Sequence, residues 1–349
     1  MSQTTLDSFL KAYAEPLGDT AKDLSNLILA LAGSALEVRD LINQGALSKA
    51  FAEDTTNRNA DGDTQKALDV AADDIFLSGL NGSTVAVYAS EELDEPVLLN
   101  PEKSLALAID PLDGSSNIDT NVSIGTIFSI LPAGDNVGDD PNSPFMQAGN
   151  HQLGAGFFVY GPQTSLVMTL GDGVVIFVFS NRLNCFVLAY QNLRIARDAR
   201  EYAVNASNYR HWHTGFRQYI DDCLAGEDGP LDKNYNMRWI ASLVADTYRI
   251  LIRGGVFYYP SDERKGYQNG RLRLVYEANP IAFLIEQAGG AATDYHTRIM
   301  DIQPDELHQR VPLAFGSVNE IERVERYCAE NGSEIAKSPL FNKRGLFRG

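Results

Sequence analysis

Acidic residues gather where apolar runs stop. Leu105 to Ile109 ends abruptly in Asp110, and Asp113 follows across Pro111-Leu112. In an open α/β sheet ligands collect at strand ends, and two carboxylates held by a proline-fixed turn can share a hard cation. Gly114-Ser115-Ser116 then offers unencumbered N–H groups and two hydroxyls, a cradle for phosphate if a helical turn begins there. Metal ligands beside an anion cradle are what metal-assisted phosphoryl transfer requires. A lone DxxD is more often a capped turn with solvated carboxylates, so the neighbouring clusters carry the weight.

Val85 to Ala89 likewise runs into Ser90-Glu91-Glu92. Adjacent carboxylates repel, so a pair at a strand end makes sense chiefly beside a cation, with Glu91 the better placed ligand and Glu92 a proton acceptor. Alone, the pair is more often solvated surface. Asp63 and Asp69 open a helical pattern, where acids also occur for macrodipole reasons alone. Glu277 closes a predicted strand, Leu272 to Tyr276. Alternation along it puts Arg271, Arg273 and Val275 on one face, and two same-face arginines make a phosphate clamp. Arg238, Tyr258 and Tyr259 add a cation and phenolic donors. His211 and His213 lack a cysteine partner for zinc, and no GxSxG, P-loop or GxGxxG after a strand is present.

Elements must bring these residues together. Leu27, Ile28, Leu31, Ala35, Val38, Leu41 and Ile42 form the stripe of an amphipathic helix, started at Asp19 or Thr20 and ended at Gly45. Asp63 to Leu80 repeats the pattern, so two helices are expected before the first strand. Strands follow over 85–89, 105–109, 122–131, 156–160, 165–170, 174–179 and 184–190, the later ones short and consecutive, as in antiparallel meanders. After about Arg197 a helix is expected over 236–253, strands over 255–259 and 272–276, a helix over 280–287, a strand over 312–315 and a helix over 320–330. The fold class expected is α/β, with mixed sheets and helices between them in two subdomains: 1–195, 196–330 and a tail, 331–349.

The chain of 349 residues has 29 Lys and Arg against 46 Asp and Glu, a formal net charge of −17. Such a chain repels nucleic acid unless it conceals a basic patch, and the longest basic feature is the short tail from Lys343. Three widely spaced cysteines read as reduced thiols, which points to a cytoplasmic protein, and no run nears the roughly 18 apolar residues of a membrane span.

In this order the motifs resemble class 1 fructose-1,6-bisphosphatases, within the lithium-sensitive, magnesium-dependent sugar phosphatase superfamily. They are GDTQKALD from Gly62, SEE from Ser90, DPLDGSSNIDTNVSIGTIF from Asp110, NASN from Asn205, RWIASLVADTYR from Arg238, GGVFYYP from Gly254, GRLRLVYEANPIAFLIEQAGGAATD from Gly270 and HQRVPLAFGS from His308. The resemblance implies the layered sugar phosphatase fold and hydrolysis of the 1-phosphate of D-fructose 1,6-bisphosphate, with a metal-activated water attacking phosphorus in line. It implies two to three Mg²⁺, or Mn²⁺, with Glu91, Asp110, the Leu112 carbonyl, Asp113 and Glu277 as ligands and Asp63 on a more loosely held third ion. Glu92 and Asp69 look like the pair that takes the proton from water. Asp113, Gly114, Ser115 and Ser116 look like the 1-phosphate contact, and Asn205, Arg238, Tyr259 and Arg271 the sugar and 6-phosphate contacts. Arg238 would reach across from a neighbouring subunit, implying a homo-oligomer, usually a tetramer. The alternatives are an enzyme that also takes sedoheptulose 1,7-bisphosphate and, in another class, a non-catalytic sugar-phosphate sensor.

The chain departs from the family's pattern in places. Arg271 stands where Lys is common, and Trp239 and Asn208 where tyrosines are usual. The positions that form the AMP site of the animal enzymes read Leu17-Gly18-Asp19-Thr20 and Ser104-Leu105. An AMP titration of phosphatase activity is therefore expected to show weak inhibition or none; potent, cooperative inhibition would contradict this.

Overall fold

The computed structural model describes residues 3–44, 63–118 and 120–332. Three helices precede the first strand within them: α1 (Leu6–Ala14), α2 (Asp19–Gln44) and α3 (Asp63–Gly79). The apolar stripe locates α2 and α3 but misses α1. That short helix is started by a capping box in which Thr5 and Ser8 take each other's backbone N–H groups.

Eight strands make the larger sheet: β1 (Val85–Ser90), β2 (Val97–Leu98), β3 (Leu105–Asp113), β4 (Ile124–Pro132), β5 (Gly154–Tyr160), β6 (Thr164–Thr169), β7 (Val175–Ser180) and β8 (Cys185–Tyr190). Their order is β2-β1-β3-β4-β5-β6-β7-β8. Among the described residues of this sheet only β1 and β3 pair in parallel; from β3 onward neighbours are antiparallel, and β5 to β8 form the expected meander.

The second half contributes β9 (Glu201–Val204), α4 (Thr214–Ala225), β10 (Asn236–Met237), α5 (Leu243–Arg253), β11 (Val256–Tyr259), β12 (Leu272–Arg273), α6 (Asn279–Gln287), β13 (Ala291–Thr293), β14 (Arg310–Val311), β15 (Leu313–Gly316) and α7 (Val318–Gly332). A five-stranded sheet runs β10-β9-β11-β15-β13, and β12 pairs with β14 alone.

Apolar faces stack these elements into layers. α1, α2 and α3 bury Leu31 and Phe76 against Tyr88, Leu107, Phe128 and Phe158 of the large sheet. Its other face, with Ile127, Phe157 and Val167, meets α5, α6 and the inner face of the small sheet at Phe257 and Phe315. The outer face of the small sheet is covered by α4 and α7 through Phe216, Tyr219, Tyr258 and Ile321. Helices thus lie between and outside two mixed sheets. No helix among the described residues is long and apolar enough to cross a membrane.

The structure adds α4 and β9, which the pattern did not announce, and two of the expected elements take another form. The helix read over 236–253 begins only after Ser242, whose hydroxyl accepts from the Ala245 N–H, because Ala241 takes φ +64°, which no right-handed helix allows. The strand read over 272–276 stops at Arg273, and Leu274–Ala278 form a π-helical turn. All five of those residues are buried, so their apolar pattern carries no period that separates strand from helix.

Gly125 on β4 lets these layers close. A Cβ there would lie 2.1 Å from the Phe158 carbonyl oxygen and 2.6 Å from Val244 Cγ2 at the start of α5. Gly125→Ala is expected to cost about 1–3 kcal/mol in chemical denaturation, and to lower activity because α5 is pushed off β4. Unchanged stability would mean that α5 shifts without cost.

Candidate active site and metal centre

β1 and β3 run parallel, and β1 ends beside Ile109 while β3 continues to Asp113. Ser90 pairs with Ile109, and the Glu91 N–H donates to the Ile109 carbonyl at 3.0 Å, so Glu91 leaves the sheet beside Asp110. On β3 the register against β4 slips: Asp110 lies opposite Ile127 and Asp113 opposite Gly125. Three steps on one strand therefore match two on the other. In a regular strand residues three apart point to opposite faces; the extra residue turns Asp113 to the side of Asp110. Pro111, which has no N–H to lose, sits in this bulge, and the Leu112 N–H is taken by Asp110 Oδ1 at 3.0 Å.

The π-helical turn brings in the third carboxylate. It bends Glu277 back so that Oε2 accepts from the Arg273 N–H at 2.6 Å. π-turns often mark functional sites, because the widened turn re-aims one side chain. Asp110, Asp113 and Glu277 are all buried, and they offer carboxylate oxygens that lie within 4.8 Å of one another. Asp113 accepts from the Val244 N–H at 2.9 Å, in the first turn of α5.

Electrostatics here are unfavourable without a cation. Burial, then the charge of Glu91, pushes Asp110 and Glu277 well above the usual carboxylate range. Burial raises Asp113 to about 6, against the opposing Val244 N–H. A rise of that size corresponds to about 3 kcal/mol of penalty on the ionised form. Arg273 supplies one positive charge, its Nε lying 3.3 Å from Glu91 Oε1. Close-set carboxylate oxygens, buried and undercompensated, fit a hard divalent cation with oxygen ligands.

Next to the carboxylates, Gly114 adopts φ +77° and opens a 3₁₀ turn, Ser115–Asn117. Its first internal bond runs from the Asn117 N–H to the Gly114 carbonyl, so the N–H groups of Ser115 and Ser116 precede the bonded ones. Asp69, on α3, approaches this turn. Burial and the charge of Glu92 raise it to about 7, with a hydrogen bond from Ser115 opposing. Glu92 is exposed, and its N–H donates to Ser90 Oγ at 3.2 Å. Asp63 is the first residue of α3, and its side chain lies outside the described residues.

The structure therefore brings Asp69, Glu91, Glu92, Asp110, Leu112, Asp113, Gly114, Ser115, Ser116 and Glu277 to one place. Of the remaining residues, Arg271 and Tyr259 lie close together. Arg271 and Arg264 both stack on Tyr267, at 4.8 and 4.0 Å. Tyr259 is raised by burial and lies near Tyr267, Arg271, Arg264 and Glu277. Asn205 caps the turn Ala206–His211 through its side-chain oxygen. Arg238 is exposed beside the edge strand β10 and donates to its own Met237 carbonyl at 3.0 Å. Arg273, expected with Arg271 on one face of a strand, lies at that strand's end with Nε 3.3 Å from Glu91 Oε1. Sequence reasoning missed Arg310, paired with Arg273 across β12 and β14, and Asp246, whose buried carboxylate accepts from the Ile240 N–H at 3.4 Å. Both lie within the quoted motifs RWIASLVADTYR and HQRVPLAFGS, but nothing in their local pattern distinguishes either from its neighbours.

Comparison with known proteins follows this geometry. The fructose-1-6-bisphosphatase N-terminal domain family matches residues 4–191, and the corresponding C-terminal domain family matches residues 195–329. The chain belongs to the class 1 fructose-1,6-bisphosphatase family. A class 1 fructose-1,6-bisphosphatase of Rhizobium meliloti (strain 1021) is 59% identical over 348 residues, covering 100% of both chains. One from Nitrobacter hamburgensis is 51% identical over 349 residues, covering 99% of each. Among solved structures, the Leishmania major fructose-1,6-bisphosphatase in holo form superposes with a TM-score of 0.84 at 33% identity, covering 94% of this chain and 99% of that one. Its T-state form gives 0.82 at 32% identity, again over 94% and 99%.

For this bisphosphatase fold the carboxylate repulsion has a measurable consequence. A carboxyl whose folded pKa is raised binds more protons in the native state, so between about pH 4, the unfolded value, and its folded pKa each loses stability as pH rises. Asp110→Asn removes one such charge. In metal-free buffer at pH 8 it is expected to raise Tm, and in Mg²⁺ buffer to abolish turnover; a lower metal-free Tm would mean the carboxylates are not in net repulsion.

Proposed function

We propose that the chain removes the 1-phosphate of D-fructose 1,6-bisphosphate, giving D-fructose 6-phosphate and phosphate. The observation that carries this is the buried set Asp110, Asp113 and Glu277, with oxygens within 4.8 Å, of which Asp113 directly precedes the Gly114 turn. Glu91, Asp110, Asp113, Glu277 and the Leu112 carbonyl would hold two Mg²⁺, and Asp63 a third, looser ion. Such ions supply charge neutralisation and a more acidic water.

The chain's own residues then divide the work. Ser115, Ser116 and the Gly114 backbone hold the 1-phosphate at N–H groups and hydroxyls. Glu92 and Asp69 take the proton from water; a carboxyl raised to about 7 suits an acceptor working near neutral pH. Arg271, Tyr259 and Asn205 hold the sugar and the 6-phosphate, where binding energy remote from the reacting phosphorus fixes its orientation. Arg238, exposed at the sheet edge, serves the pocket of a neighbouring subunit in a homotetramer. The metal and 1-phosphate half would extend to about residue 195 and the 6-phosphate half over 196–330.

Phosphate release from fructose 1,6-bisphosphate, with sedoheptulose 1,7-bisphosphate and inositol phosphates in parallel, is expected to need Mg²⁺ and to stop in EDTA. Glu92→Gln should leave metal binding intact and lower kcat by about 10²–10⁴. Turnover unaffected by excess chelator counts against the metal reading, and a near-wild-type Glu92→Gln rate removes Glu92 from proton transfer.

A further inference from the structure

Glu91 and Glu92 come from the first half of the chain and Glu277 from the second, and one histidine ties the two turns that carry them. His308 Nε2 lies 3.0 Å from the Leu93 carbonyl oxygen. A carbonyl can only accept, so that nitrogen carries the proton. Leu93 closes the acidic turn, its own N–H donating to the Ser90 carbonyl at 3.3 Å.

The histidine backbone completes the link. Its carbonyl accepts from Arg273 Nη1 at 2.9 Å. The same guanidinium reaches Glu91 Oε1 at 3.3 Å, and the Arg273 N–H holds Glu277 at 2.6 Å. The ring packs against Tyr276, the fully buried neighbour of Glu277, with centroids 5.4 Å apart. The ring, the His308 carbonyl and Arg273, through its guanidinium and its backbone N–H, thus form one bridge from Leu93 to Glu277.

We propose that His308 is a positioning residue of the metal centre: through Leu93 and Arg273 it holds the Glu91-Glu92 turn facing Asp110 and Glu277. In this role it acts through Leu93 and Arg273 and need not touch substrate or metal. The proposal rests on the reading that these carboxylates hold divalent cations.

Mn²⁺ binding to substrate-free protein, followed by the resonance signal of the free ion, tests it without relying on turnover. His308→Phe keeps the ring packing and removes the donor; it is expected to weaken Mn²⁺ binding about tenfold, as loss of an outer partner of a metal ligand does. His308→Gln places an amide N–H where Nε2 stood and should recover most of the affinity. In turnover the half-saturating Mg²⁺ concentration should move with these affinities, while kcat at saturating Mg²⁺ changes far less. Wild-type Mn²⁺ affinity in His308→Phe, or a Gln variant no better than Phe, would overturn the proposal. Should the Phe variant not fold, His308→Asn, whose nitrogen falls short of Leu93, takes its place: weakened binding supports the role and wild-type binding refutes it. A wild-type protein that binds no Mn²⁺ sinks the metal reading first, and this proposal with it.

Discussion

Like charges held together away from water are the constraint on which this structure turns. Asp110, Asp113 and Glu277 are buried within reach of one another, with Glu91 alongside. Isolated ionised carboxylates are not tolerated in such a place, and each is met by a backbone donor: Leu112 N–H for Asp110, Val244 N–H for Asp113 and Arg273 N–H for Glu277. Those hydrogen bonds aim the carboxylates without neutralising them. What the protein leaves unbalanced, a divalent cation can balance, and the irregular local structure exists to create that imbalance at one point.

Three backbone irregularities perform this aiming, and each belongs to a different part of the fold. A bulge in β3 turns Asp113 to the side of Asp110, a π-turn returns Glu277 to Arg273, and the capped start of α5 brings an N–H to Asp113. The last two come from the second half of the chain, so the centre is complete only when the helices between the sheets are docked. Gly125, which a side chain would drive into the Phe158 carbonyl and Val244, shows how tightly that docking is drawn.

Charge is also segregated in space. The chain carries −17 overall, yet Arg264 and Arg271 stack on one tyrosine, and Arg310 has its pKa lowered by burial and by the nearby Arg273 and Arg271. Net charge speaks to long-range partners and solubility, whereas a small phosphorylated sugar meets the local field. Net charge alone therefore does not bar a small anion from a surface where arginines gather.

The sequence by itself determined the layered α/β fold, the helices α2 and α3, the antiparallel meander and the acidic clusters at the ends of β1 and β3. Periodicity and composition are local properties, and a carboxylate that stops an apolar run is visible without coordinates. Only the tertiary structure decided that Arg273 meets Glu91, that the segment from Leu274 winds instead of extending, and that the helix of Leu243 starts after Ala241. In each case the residue's surroundings come from distant parts of the chain: Gln309 takes the Leu274 N–H, and Asn117 donates to the Ala241 carbonyl at 2.7 Å. A fully buried run has no exposed face to give it a period, and a hydrogen bond across 124 residues leaves no local mark.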